Sequence, residues 1–158
     1  MASTMSSSLR VDRNVYWGDC APSGAVFYPV YYRWFDEAAW EFFDHAALAI
    51  GELGKTYGLV GLPLMSCRAE FRRPCRLGDR LTVDTTIAQL GAKTITLSFH
   101  VFKQGELAVR GEEVRFWGTR HEDEPGRLVR GTIPPDIAAR LISYVAAPEE
   151  GRIWSDPA

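Results

Sequence analysis

The chain has 158 residues, 46% of them hydrophobic and 12% aromatic, and a formal net charge of −2 at pH 7. That length suits one domain with one core, and that composition excludes a disordered or fibrous chain. The charge balance excludes a global basic field for nucleic acid or an anionic membrane, although a local patch can still hold a phosphate ligand.

The opening MASTMSSSLR has no apolar segment of a secretory signal, and no apolar run approaches the ~20 residues that cross a bilayer, so a cytoplasmic protein is expected. Residues 1–8 read as a flexible N-terminus, 9–147 as a single domain and 148–158 as a polar tail. Leu9 to Trp17 mixes β-branched and aromatic residues and predicts a strand. GDCAPSGAVFY follows as a connection, and Pro29 suits the first position of a helix, where its missing N–H costs nothing. Tyr31, Trp34, Phe35, Ala38 and Phe42 then recur at the spacing of a helix buried on one face.

Gly51, Gly54 and Gly58 predict a loop with one short helical turn. LMSCRAEFRR reads as a strand. In RLTVDTTIAQL, Leu81, Val83, Thr85 and Ile87 alternate with polar residues, as Ile95, Leu97, Phe99 and Val101 do in KTITLSFHVF. Gly91 marks the turn between these two, and KQGE a second hairpin before LAVRGEEVRFWGTR. HEDEPGR predicts an acidic flexible loop, and PPDIAARLISYV a short terminal helix. One strand, one long helix and about four further antiparallel strands make an α+β fold, whose sheet must wrap the helix to bury its apolar face.

Cys20, Cys67 and Cys75 are odd in number and lack paired spacing, so they read as free thiols. His45, His100 and His121 are too scattered for a local metal motif.

VYWGDCAPSGAVFYPVYYRWFDEA, followed by GLVGLPLMSCRAEFRRPCRLGDRLTV, resembles the 4-hydroxybenzoyl-CoA thioesterase family of the hotdog fold, over roughly Val11 to Ala138. The resemblance implies about five antiparallel strands curled around one long helix and subunits paired edge to edge, as a homodimer or homotetramer. It also implies an acyl-thioester site between subunits, and hydrolysis of an aryl- or acyl-CoA without metal or organic cofactor. A thioester carbonyl under attack becomes an oxyanion and needs N–H donors aimed at it. Tyr28 matches the family position whose backbone N–H serves as that donor; read without the resemblance, it packs and caps the helix.

The reaction also needs a carboxylate as nucleophile or general base. The resemblance places it two positions after the aspartate of the G-D pair, and here that position is Ala21. Three readings stand. A deliberate Asp→Ala replacement would trap an active enzyme. Another carboxylate would serve: Asp19, which otherwise supports the turn, or Asp36 and Glu37, roughly 12 Å along the helix from Tyr28. Or the domain binds acyl-CoA without hydrolysing it.

The position of Asp36 faces a ring hydroxyl in the resembling family; its plain reading is a solvated helix residue. Trp17, Phe27, Trp34 and Leu62 are expected to suit an aromatic acyl group, with Ser66 and Cys67 lining or supporting the pocket. Cys20 reads as a structural thiol. Lys93 and Arg127 match basic family positions for the phosphates of coenzyme A, although Gly91 and Ala92 are not basic where relatives often are.

Overall fold

The computed structural model describes residues 6–46 and 48–148. Most of the predicted N-terminal segment and polar tail, residues 1–5 and 149–158, therefore lies outside the described residues. Five strands make the main antiparallel sheet: β1 (Leu9–Asn14), β3 (Leu64–Phe71), β4 (Arg80–Leu90), β5 (Thr94–Lys103) and β6 (Glu106–Phe116), ordered β1-β4-β5-β6-β3. The helix α1 (Tyr28–His45) lies against it. Three short strands, β2 (Leu59–Gly61), β7 (Gly118–Arg120) and β8 (Leu128–Arg130), pair in a separate small sheet.

Register shows which side chains the sheet turns toward the helix. Val11, Val83, Val101 and Val109 stand opposite one another across four strands, with Phe71 completing the row. In the next row Phe99 faces Gly111. Phe35 of α1 stacks on Phe99 at 4.9 Å between ring centroids, and a Cβ on Gly111 would lie 2.4 Å from the Phe35 ring. The missing side chain lets α1 approach the sheet closely enough to bury Phe35 completely. Such a burial stabilises the fold by about 1.5–3 kcal/mol. The stripe expected from the sequence, Tyr31, Trp34, Phe35, Ala38 and Phe42, is wholly buried.

Several element boundaries differ from expectation. The first strand stops at Asn14 rather than Trp17, because Trp17–Asp19 turns into one 3-10 turn. The helix starts at Tyr28, so Pro29 is its second residue. The glycine-rich stretch is a regular helix, α2 (Ile50–Tyr57), rather than a loop. Its glycines serve helical purposes: a Cβ on Gly54 would lie 2.9 Å from the Leu59 carbonyl, and Gly58, at φ 66°, closes the helix in the left-handed region. The terminal helix α3 (Pro135–Leu141) is followed by a 3-10 turn, Ile142–Tyr144. No helix among the described residues is long and apolar enough to cross a membrane.

Candidate active site

The loop between β1 and α1 is organised by Asp19. One of its carboxylate oxygens accepts the Tyr16 amide at 2.9 Å and the other accepts Arg33 at 2.6 Å. Its carbonyl accepts the Phe27 amide at 2.9 Å, which ties the start of the loop to the start of the helix. Asp19 is 6% exposed, and all three interactions fix the turn. That is the loop-supporting role an aspartate is suited to, and it leaves the carboxylate committed.

Beyond Asp19 the chain forms a small hairpin. The Gly24 amide donates to the Ala21 carbonyl and the Ala21 amide to the Ala25 carbonyl, both at 2.8 Å. Gly24 sits at φ 79°, a left-handed conformation that lets three residues close the loop. The returning strand is pinned by Val26, whose amide donates to the Cys75 carbonyl at 2.8 Å. Ala21 lines a hollow of about 400 Å³ together with Trp17, Cys20, Pro22, Gly24 and Leu77.

The first turn of α1 follows this hairpin in the chain. Pro29 has no N–H, and Val30 and Phe27 donate at 2.9 Å to the carbonyls of Phe27 and Asp19. The Tyr28 amide is the donor of this turn that no group among the described residues takes. It lies at the positive end of the helix dipole, where a developing anion is stabilised. Phe27 and Tyr28 are exposed, packed edge to face at 5.5 Å, and Tyr28 joins Tyr31, Phe71, Arg72, Arg73 and Cys75 around a second hollow of about 340 Å³.

The other predicted residues scatter. Trp34 is buried in the core, edge to face with Tyr31, and Leu62 is buried with its carbonyl accepting from Arg115 at 3.0 Å. Ser66 is exposed on β3. Glu37 pairs with Arg13 and Arg33, at 3.6 and 3.5 Å. Burial, with Glu113 adding to it, pushes the Cys67 thiol up to about 12, which removes it as a thiolate nucleophile near neutral pH. The Cys20 thiol donates to the Tyr16 carbonyl at 3.5 Å. Lys93 stands at the turn before β5, its carbonyl accepting the Trp117 amide, and Arg127 is paired with Glu124 at 2.7 Å. No group of three or more His, Cys, Asp or Glu side chains among the described residues is placed to hold a metal.

Asp36 is part of an assembly that sequence reasoning missed. Arg115 of β6 donates to Asp36 at 2.6 Å, to Glu113 at 2.8 Å and to the Leu62 carbonyl. Glu113 is 1% exposed, and burial pushes its carboxyl above the ordinary carboxylate range despite Arg115. The available signal was strand parity. Extending the inward alternation of β5 across the next hairpin places Val109, Gly111, Glu113 and Arg115 toward the helix, so two charges had to be buried there together.

A five-stranded antiparallel sheet packed on one long helix is the architecture of the hotdog class. The chain belongs to the thioesterase-like superfamily, whose model matches residues 15–141. It is 30% identical over 117 residues to the 4-hydroxybenzoyl-CoA thioesterase of Pseudomonas sp. strain CBS-3, covering 70% of this chain and 83% of that one. It is 29% identical over 118 residues to a 1,4-dihydroxy-2-naphthoyl-CoA hydrolase of Prochlorococcus marinus, covering 71% and 76%. Among solved structures, an aspartate-to-asparagine mutant of 4-hydroxybenzoyl-CoA thioesterase complexed with 4-hydroxybenzoyl-CoA superposes with a TM-score of 0.76 at 28% identity, covering 85% of this chain and 98% of that one. A gentisyl-coenzyme A thioesterase superposes with a TM-score of 0.70, also at 28% identity, covering 85% and 99%.

Proposed function

We propose that this chain acts on aromatic acyl-CoA thioesters, with the thioester carbonyl received by the Tyr28 amide and the acyl group among Phe27, Tyr28 and Phe71. The observation that carries the reading is the untaken Tyr28 N–H beside an aromatic-walled hollow. A preorganised donor at that point stabilises the oxyanion that forms when the thioester is attacked. The relatives act on hydroxylated aromatic thioesters by name, which supports the same substrate class.

Position 21 is where the attacking or proton-accepting carboxylate belongs, and alanine there can do neither. The nearby Asp19 is committed to Tyr16 and Arg33, and Glu37 is paired with two arginines. This chain therefore holds and polarises the thioester while lacking the group that opens it. The Ala21 methyl at the hollow favours a second reading of the present sequence, an acyl-CoA binder rather than an efficient catalyst.

Asp36 is 8 residues beyond Tyr28 in the helix, roughly 12 Å away at 1.5 Å per residue. One benzoyl ring on the Tyr28 amide does not bridge that span, so Asp36 is assigned to a site completed by a second copy of the chain. The free edge of β3, with Leu64, Met65 and Phe71 exposed, supports such pairing.

The test is thiol release from a panel of aryl- and alkyl-CoA thioesters, using this chain and Ala21→Asp side by side. Release of aryl thioesters by the variant alone supports a carboxylate at position 21. Equal turnover by the unaltered chain overturns it and moves catalysis elsewhere.

A further inference from the structure

The open N–H of Tyr28 is aimed by its neighbours. It shares a peptide plane with the Phe27 carbonyl and points the opposite way. That carbonyl accepts the Val30 amide at 2.9 Å, and the Phe27 amide donates to the Asp19 carbonyl at 2.9 Å. The direction of the donor is therefore set on one side by the helix and on the other by Asp19. The same aspartate leads into position 21, two residues further along the loop.

Asp19 is held in turn from the helix. Arg33 stands five residues past Tyr28 in α1, and helical side chains lean toward the N-terminus, which brings its guanidinium back toward the first turn. It donates to one Asp19 carboxylate oxygen at 2.6 Å, while the other oxygen accepts the Tyr16 amide at 2.9 Å. The result is a closed circuit that runs from the helix start through Phe27, Asp19 and Arg33 into the same helix. Arg33 is also braced from behind. Its Nε lies 3.5 Å from Glu37, Glu37 lies 3.6 Å from Arg13 of β1, and Arg13 pairs with Glu41 at 2.6 Å.

The turn alone does not require this ion pair. One uncharged oxygen, as in asparagine, accepts an amide equally well and keeps such a turn. The Asp19 side chain is instead a carboxylate only 8% exposed, and a charge withdrawn that far from water is costly unless a cation and hydrogen bonds meet it. Ion pairs of this kind add little net stability, so what Arg33 supplies is a fixed geometry. The Arg10–Asp84 pair, at 2.8 Å, makes the contrast: it joins strands that the β1–β4 ladder already holds in register. Arg33–Asp19 ties a loop to a helix across 14 positions.

We propose that Arg33 is a positioning residue: by clamping Asp19 against α1 it holds the Tyr28 amide on the acyl carbonyl and fixes where position 21 stands. The inference rests on the acyl-thioester reading given above. Arg33 touches neither the carbonyl nor the leaving sulfur; it acts through Asp19 and Phe27.

The test is the infrared carbonyl band of S-phenacyl-CoA, a ketone that cannot be hydrolysed, labelled with carbon-13 at its carbonyl and bound to the full chain. Affinity is measured in parallel by calorimetry, and thermal melts verify folding. In the unaltered chain the band should move to lower frequency, because a hydrogen bond from the Tyr28 amide polarises the carbonyl. Arg33→Ala and Arg33→Gln should lose most of that shift while affinity falls by less than about tenfold, the scale of one net hydrogen bond. Arg33→Lys keeps the charge without the planar fork and should recover part of the shift. Arg10→Ala should keep all of it. A full shift in the folded neutral variants overturns the positioning role and leaves the thioester reading intact, as does an equal loss in Arg10→Ala. Should the neutral variants unfold, Arg33→Lys decides alone: a reduced shift supports the role and a full shift overturns it. An unshifted band in the unaltered chain overturns both readings.

Discussion

The first turn of α1 and its middle, two turns further on, are built on opposite plans. In the middle, Arg115, the buried Glu113 and the Leu62 carbonyl satisfy one another beneath an exposed Asp36, while Phe35 fills the space left by Gly111. At the first turn the Tyr28 amide is untaken, Phe27 and Tyr28 are exposed, and Ala21 faces a hollow. Buried polar groups are costly unless paired, so the middle reads as structure. A donor held open on a rigid helix is of use only to something that arrives, so the first turn reads as the site.

Four measurements break or sharpen that contrast. Restoring a carboxylate to the open end, Ala21→Asp, should raise thiol release from an aryl-CoA by about 100-fold or more, the usual scale of a positioned general base. Arg115→Met in the closed middle strands the carboxylate of Glu113 and should lower stability by about 3 kcal/mol, read as a shift of the urea midpoint. If Arg115 were replaceable at no cost, the middle would not be the closed structural unit described here. Gly111→Ala drives a methyl group into the Phe35 ring and should cost about 1–3 kcal/mol by overpacking, with thermal unfolding as the readout.

The smallest effect is on pH dependence. Burial raises the Glu113 carboxyl above its unfolded value, so the folded chain holds that proton more tightly than the unfolded chain. Through this group, stability is fully present below the unfolded value of about 4.3 and declines as pH rises through the folded one. Glu113→Gln keeps an oxygen for Arg115 and should flatten the decline in urea midpoints measured from about pH 4 to about pH 8. An unchanged slope would show that Glu113 titrates as an ordinary carboxylate.

Local pattern determined much of this protein. The 3.6-residue stripe from Tyr31 to Phe42 and the two-residue alternation of β4 and β5 report which face of each element is apolar, and burial follows the apolar face. The G-D-C-A-P-S-G segment likewise read as a connection, and its closure into a hairpin rests on Gly24, whose lack of a Cβ admits the left-handed φ of 79°. The helix over Ile50–Tyr57 was hidden because the same glycines that suggest a loop are required there by a close approach to Leu59 and a left-handed cap. Only the tertiary structure decided that Asp19 is spent on Tyr16 and Arg33, that Trp34 is core, and that Asp36 is tied through Arg115 to a buried glutamate. It alone placed Tyr28, Phe71 and Arg73 around one hollow. The Asp36–Arg115 contact links residues 79 positions apart, and side-chain periodicity carries no information about which strand or helix lies next to which.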